Sequence, residues 1–189
     1  MTARDAIAGL MEEHRLIERL LDALEAMTAA SAVARADVAD LVLLLRRYAD
    51  ALHHAKEEDV LFPALDVACA GSDTHLEALR DHHDEGRRLV AELGQIAEAP
   101  GASLDGPDLA RLGRLSRDYV ALLREHIRME DEIVYPMARA RIRPAAWDDV
   151  EAACAEIDLA RAGEVASLLE RARTLTTKYR SHMEGHAHD

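Results

Sequence analysis

The sequence predicts an all-α fold, an antiparallel up-down-up-down four-helix bundle with a C-terminal helical extension. Three observations carry this. Alanine, leucine, glutamate and arginine dominate the 189 residues, and all four favour helix. Glycine and proline are scarce and clustered, most densely between Pro100 and Pro107. Apolar residues recur every three or four positions through the stretches between these breaks.

The first helix is expected to start at Thr2, an N-cap residue type with Asp5 three positions on. Leu10, His14, Ile17, Leu21 and Leu24 mark one buried stripe along it. The pattern fades across the Ala-rich stretch 29–34. A second helix is expected over 35–68, with Pro63 kinking it or ending its regular part. Gly71, Ser72 and Asp73 combine a stop with a restart. A third helix follows over 73–98, then the Pro100–Pro107 loop, then a fourth helix over 107–141 with Pro136 near its end. After Pro144 two shorter helices are expected, at 145–159 and 161–180, and the polar ending SHMEGHAHD reads as a frayed tail. The domain reading is a bundle over 1–141, a helical extension packed on it over 142–181, and a flexible His-containing tail over 182–189.

The balance of 23 basic and 36 acidic residues gives a formal net charge of −13. Such a chain repels phosphate backbones and anionic bilayers, so neither nucleic acid nor membrane is an expected partner. Its two cysteines, Cys69 and Cys154, form no CxxC pair and suit a reducing compartment. With no apolar run of signal-peptide or bilayer-spanning length, a cytoplasmic location is expected.

The most informative feature is an internal repeat. Residues 53–63 read HHAKEEDVLFP and residues 126–136 read HIRMEDEIVYP. Both are His-x-x-x-Glu-acid-acid-aliphatic-aliphatic-aromatic-Pro. More weakly, EHRLIERLL at 13–21 aligns with HHDEGRRLV at 82–90. The register pairs His14 with His83, and His53 and Glu57 with His126 and Glu130. It therefore selects His83 over His82 and His53 over His54. Each half supplies one His from its first helix and a His-x-x-x-Glu pair from its second.

Spacing tests whether these residues can meet. In an antiparallel hairpin, two residues equidistant from the turn share a level. The midpoint of His14 and His53 falls in the Ala-rich break, that of His53 and His83 beside Gly71, and that of His83 and His126 inside the Pro/Gly loop. Four histidines on four helices thus lie at nearly one level. His126 shares an apolar face with Leu115, Tyr119, Leu122, Ile133 and Met137, and the i,i+4 spacing places each Glu beside its His.

Buried carboxylates must be neutralised or protonated, and a pair of cations does this directly. The candidate metal ligands are His14, His53, Glu57, His83, His126 and Glu130. Imidazole with carboxylate suits iron, manganese or zinc. Four imidazoles, two bridging carboxylates and an oxo or hydroxo bridge fill about ten of the roughly twelve positions of two octahedral ions. About two positions stay open to an outside ligand, the mark of a reactive site. His54 and Glu58 form a second i,i+4 pair, expected on the solvated flank, with His75 and His82 likewise exposed; spacing leaves open whether one of these histidines substitutes as a ligand. His182, His186 and His188 fall in the tail. The acidic runs at 57–59 and 130–132 read as solvated faces apart from Glu57 and Glu130. Tyr119 reads as a core aromatic in preference to a redox residue.

Over about residues 5–140 the chain resembles the hemerythrin-like HHE cation-binding family. The resemblance rests on EEH at 12–14, HHAKEEDVLFPAL at 53–65, HHDE at 82–85 and HIRMEDEIVYPMA at 126–138. It implies a four-helix bundle holding a non-haem di-iron centre, two Fe ions bridged by two carboxylates, that meets dioxygen, nitric oxide or peroxide. Oxygen-carrying members have a His-x-x-x-His pair on the third helix; here Leu79 stands four residues before His83. That departure favours a redox-active or sensing centre over reversible oxygen carriage. The leading expectation is a di-iron protein that binds such a small ligand in sensing, detoxification or iron handling. The alternatives are an oxidase or peroxide-consuming enzyme at the same centre, and a partner-binding bundle whose metal is structural.

Overall fold

The computed structural model describes residues 5–30, 32–71 and 73–185, with side chains to residue 180. These form five helices and no sheet. Helix α1 is Ala6–Ala29. Its N-cap is Asp5, whose carboxylate accepts from the N–H groups of Ile7 and Ala8; Thr2, the expected cap, lies outside the described residues. Helix α2 runs over 35–68, and α3 is Thr74–Glu98, capped by Asp73. Helix α4 runs over 106–141, capped by Asp105 with Pro107 in its first turn, and α5 is Pro144–Gly185.

The first four helices form the expected bundle: α1 packs on α2 and α4, and α3 packs on the same two from the other side. At one end, the α1–α2 and α3–α4 connections are stitched together by two backbone hydrogen bonds. Arg35 N–H donates to Ala102 C=O and Leu104 N–H to Val33 C=O, both at 2.9 Å. The buried Arg35 side chain reinforces this end, donating to the Ile96 carbonyl at 2.7 Å and to Asp108. At the other end α2 turns into α3 through Gly71, which adopts a positive φ of 73°.

Neither Pro63 nor Pro136 ends its helix. Each helix instead widens just before its proline into a π-helical turn, at Glu57–Leu61 and Glu130–Val134. Proline has no N–H to give to the carbonyl four residues back. In these turns Phe62 N–H reaches Glu57 C=O and Tyr135 N–H reaches Glu130 C=O, five residues back. Regular helix then resumes as Phe62–Ala68 and Tyr135–Arg141. The sequence repeat is thus a backbone repeat, register for register. Helix α2 carries a further π-helical stretch, Leu45–His54, with no counterpart in α4.

The break expected near residue 160 does not form, and α5 is one continuous 42-residue helix. No proline interrupts it, and Gly163 within a helix costs only about 1 kcal/mol relative to alanine. Contacts along its length offset that cost. Val150 and Cys154 join one apolar cluster, while Leu168, Ala172, Leu175 and Tyr179 join the other. Helix α5 lies against α1 and α2 and runs on into the segment read as a tail; His186 and His188 lie outside the described residues. Among the described residues no helix is long and apolar enough to cross a membrane.

The two apolar clusters bracket the candidate site. One holds Ile7, Leu10, Phe62, Leu65, Leu79 and Tyr135; the other holds Ile17, Leu20, Leu52, Leu89, Tyr119 and Leu123. His14 falls between Leu10 and Ile17 on α1, and His83 between Leu79 and Leu89 on α3. The ionisable layer therefore crosses the bundle between two dry cores.

Candidate metal centre

All six residues selected from the sequence are buried, with His14, His53, Glu57 and Glu130 at 0% exposure and His83 and His126 at 1%. They converge as two four-residue groups. One is His14, His53, Glu57 and Glu130; the other is His54, Glu57, His83 and His126. Within each group the ligand atoms lie within 4.8 Å of one another. The groups meet through the carboxylates. Glu57 turns Oε1 toward His53 Nε2 at 3.6 Å and Oε2 toward His83 Nε2 at 3.5 Å. Glu130 Oε2 stands 3.2 Å from both His14 Nε2 and His126 Nε2. Each carboxylate thus faces one imidazole of each group, as a carboxylate bridging two ions must.

Spacings of this size suit shared cations. Two donors about 2.1 Å from one ion at a right angle stand about 3 Å apart, and His83 Nε2 and His126 Nε2 are 3.2 Å apart. Buried polar atoms normally have partners. Here His53 Nε2, Glu57 Oε2 and both Glu130 oxygens have none among the described residues. Cations between the helices would satisfy all of them, so the donor set fits two metal ions.

Three of the four selected imidazoles are held from behind, whereas His126 Nδ1 has no hydrogen-bond partner among the described residues. His14 Nδ1–H donates to Asp131 at 2.8 Å, His53 Nδ1–H to Glu13 at 3.0 Å and His83 Nδ1–H to Glu58 at 2.6 Å. Holding a proton on Nδ1 reserves Nε2 for a metal, which would displace any proton there, the usual support for a metal-ligating imidazole. Every supporting carboxylate is in turn anchored by a cation. Arg15 binds Asp131; Lys56 binds Glu13 at 2.5 Å, and Asp158 of α5 as well; Arg87 binds Glu58 at 2.7 Å. Glu58 and Asp131, read from sequence as solvated, are therefore working parts of the site. The repeat held the signal, since they align with each other and each reaches the histidine of the opposite half.

His54 is the other correction. It was expected on the solvated flank in a pair with Glu58, yet it is buried and its ring stacks on His83 with centroids 3.9 Å apart. His82 is half-buried, its ring 5.9 Å from that of His126, whereas His75 remains outside the layer and bonds Asp73. Tyr119 is a core aromatic, as expected. The phenol at the centre is Tyr135, which donates to Glu57 Oε1 at 2.6 Å and lies 3.3 Å from His14 Nε2. Its repeat counterpart is Phe62, which stacks on His83 as Tyr135 stacks on His14.

Protonation shows how the layer balances itself without metal. Burial opposes charge on His14, but Asp131 and Glu130 outweigh it and raise the imidazole to about 10. Burial likewise opposes charge on His83, and Glu57 and Glu58 raise it to about 9. Burial, joined by the positive His83, pushes His126 well below the usual range. The carboxylates split, because two close buried acids cannot both stay freely ionised. Burial opposes the charge on Glu57, but the facing His53 and His83 hold it well below its ordinary value. Burial and the charge of Glu57 raise Glu130 to about 8. Protons thus stand where metal charge would.

The support can be tested without touching a ligand. Asp131→Asn removes the charge behind His14 and should weaken metal binding about 10–100-fold in a competitive metal titration. Asp59→Asn, on the exposed side of α2, should leave affinity unchanged.

The fold and this layer define a class: a four-helix bundle with a buried histidine–carboxylate centre suited to two metal ions. The hemerythrin HHE cation-binding domain model matches residues 5–138, and the chain belongs to that family. Similar proteins include an uncharacterized protein of Mycobacterium bovis and uncharacterized proteins of two Mycobacterium tuberculosis strains. Each is 26% identical over 134 residues, covering 69% of this chain and 52% of the relative. The chain therefore spans about half the length of these relatives. No solved structure matches it.

Proposed function

We propose that the centre is a non-haem di-iron site that interacts with a small ligand, dioxygen, nitric oxide or peroxide, in sensing, detoxification or iron handling. His14, His53, Glu57, His83, His126 and Glu130 hold the metals. The observation that carries this reading is the pair of donor groups sharing Glu57, with Glu130 touching an imidazole of each. Paired bridging carboxylates with imidazoles suit two ions of octahedral preference, which favours iron or manganese over zinc. When bound, the irons would supply electrons to the ligand and a site for it. The chain supplies the dry setting, the fixed imidazoles and the Tyr135 phenol, whose O–H is directed at Glu57.

The test is a ligand titration of the reduced, iron-loaded chain under anaerobic conditions. Dioxygen, nitric oxide or peroxide should produce a saturable change in absorption at about one ligand per centre. An unchanged spectrum with all three overturns the reading. Consumption of many peroxides per centre would move the assignment to the peroxide-consuming enzyme.

A further inference from the structure

We propose that His54 is a fifth imidazole ligand of the centre, taking from α2 the coordination position that a histidine at residue 79 of α3 would fill. This deepens the di-iron reading and rests on it. Leu79 is fully buried in the apolar cluster with Phe62 and offers no donor. His54 supplies one at the same layer: its ligand atom lies within 4.8 Å of those of Glu57, His83 and His126. Its ring stacks on His83 and meets the His126 ring edge-on at 5.6 Å.

Two further observations point the same way. His54 is only 5% exposed, and its Nε2 has no hydrogen-bond partner among the described residues. Leaving such a group unsatisfied is costly, and a metal ion would remove that cost. Its Nδ1 faces Asp50 Oδ1 at 3.5 Å, and Arg87 clamps Asp50 at 2.8 Å together with Glu58, the support of His83. A carboxylate clamped by a cation thus lies behind His54 too, although neither ring nitrogen of His54 has a hydrogen-bond partner among the described residues, whereas His14, His53 and His83 are hydrogen-bonded to theirs.

Local geometry explains how neighbours can both face inward. His53 and His54 close the π-helical stretch Leu45–His54. A π-helix has more residues per turn than an α-helix, so successive side chains diverge by a smaller angle. In α4 the repeat counterpart of His54 is Ile127, which lies in regular α-helix and packs into the apolar core. The two halves therefore differ. One ion meets three imidazoles, from His54, His83 and His126, and the other meets two, from His14 and His53. About one coordination position stays open instead of two, on the His14/His53 side, where Tyr135 lies.

A cavity of about 400 Å³ between α2 and α3 is lined by Asp50, His54, Gly86, Arg87 and Tyr119, which provides a chemical-rescue test. In the full chain, His54→Ala should lower iron affinity at least tenfold and change the charge-transfer spectrum. Added imidazole should restore both by entering the cavity. His54→Leu, which fills the space, should lose iron without rescue. Wild-type affinity and spectrum in His54→Ala overturn the inference while leaving the di-iron reading intact; a wild-type chain that takes up no iron overturns the di-iron reading itself. If neither variant folds, the diferrous wild-type chain decides by paramagnetically shifted exchangeable N–H resonances. Five coordinated imidazoles support the inference and four overturn it.

Discussion

Glu57→Gln should release both metals from a chain that stays folded. Glu57 is the one residue common to both donor groups, with an oxygen turned to each. The amide keeps the volume but loses the charge, and its nitrogen cannot ligate in place of the second oxygen. An affinity loss of at least a hundredfold, about 2.8 kcal/mol, is expected, so iron per chain should fall from two to below one at micromolar free iron. In the metal-free protein Glu57 is the charge partner of the facing imidazoles, which hold it well below its ordinary range, and removing one partner of a buried pair destabilises the fold. The metal-free melting temperature should therefore fall, measured by circular dichroism alongside metal analysis. An unchanged metal-free melting temperature would contradict this pairing.

Metal loading should itself be a large stabilising event. Helices α1, α2, α3 and α4 each contribute to the ionisable layer, through His14, His53 with Glu57, His83, and His126 with Glu130. A ligand that binds only the folded chain adds about 4 kcal/mol at a free concentration a thousandfold above its Kd. For a chain of this size each kcal/mol shifts the melting temperature by about 2–4 °C. Loading should raise the transition by roughly 8–16 °C, and chelation should reverse the rise. Glu57→Gln should show no rise at all. An equal rise in Glu57→Gln would place the metal elsewhere, for instance on the C-terminal histidines.

Much of this was legible in the sequence because the repeat constrains both fold and site. Aligning HHAKEEDVLFP with HIRMEDEIVYP picks out residues that the structure brings to one level, and the turn positions explain why. What the repeat could not convey is asymmetry. His54 was set aside because its counterpart is Ile127, and the π-helical stretch that turns it inward leaves no mark in apolar periodicity. Tyr135 was hidden for a similar reason: at the level of residue classes it equals Phe62, yet only the tyrosine has an O–H to give Glu57. The prolines signalled a disturbance whose outcome depended on the backbone, since a widened turn and a broken helix both answer a missing N–H. In α5 apolar contacts on both sides of residue 160 accompany one continuous helix where two were expected. Lys56 shows the same limit from another direction. It is a surface residue type, buried here between Glu13 of α1 and Asp158 of α5, and so connects the C-terminal helix to the support of His53.

The central claim is that the buried layer holds a pair of iron ions. Metal analysis of the aerobically iron-loaded chain, read with its absorption spectrum, tests this most directly. Two irons per chain with a near-ultraviolet charge-transfer band is the expected result. A folded chain that retains no iron and shows no such band would contradict it.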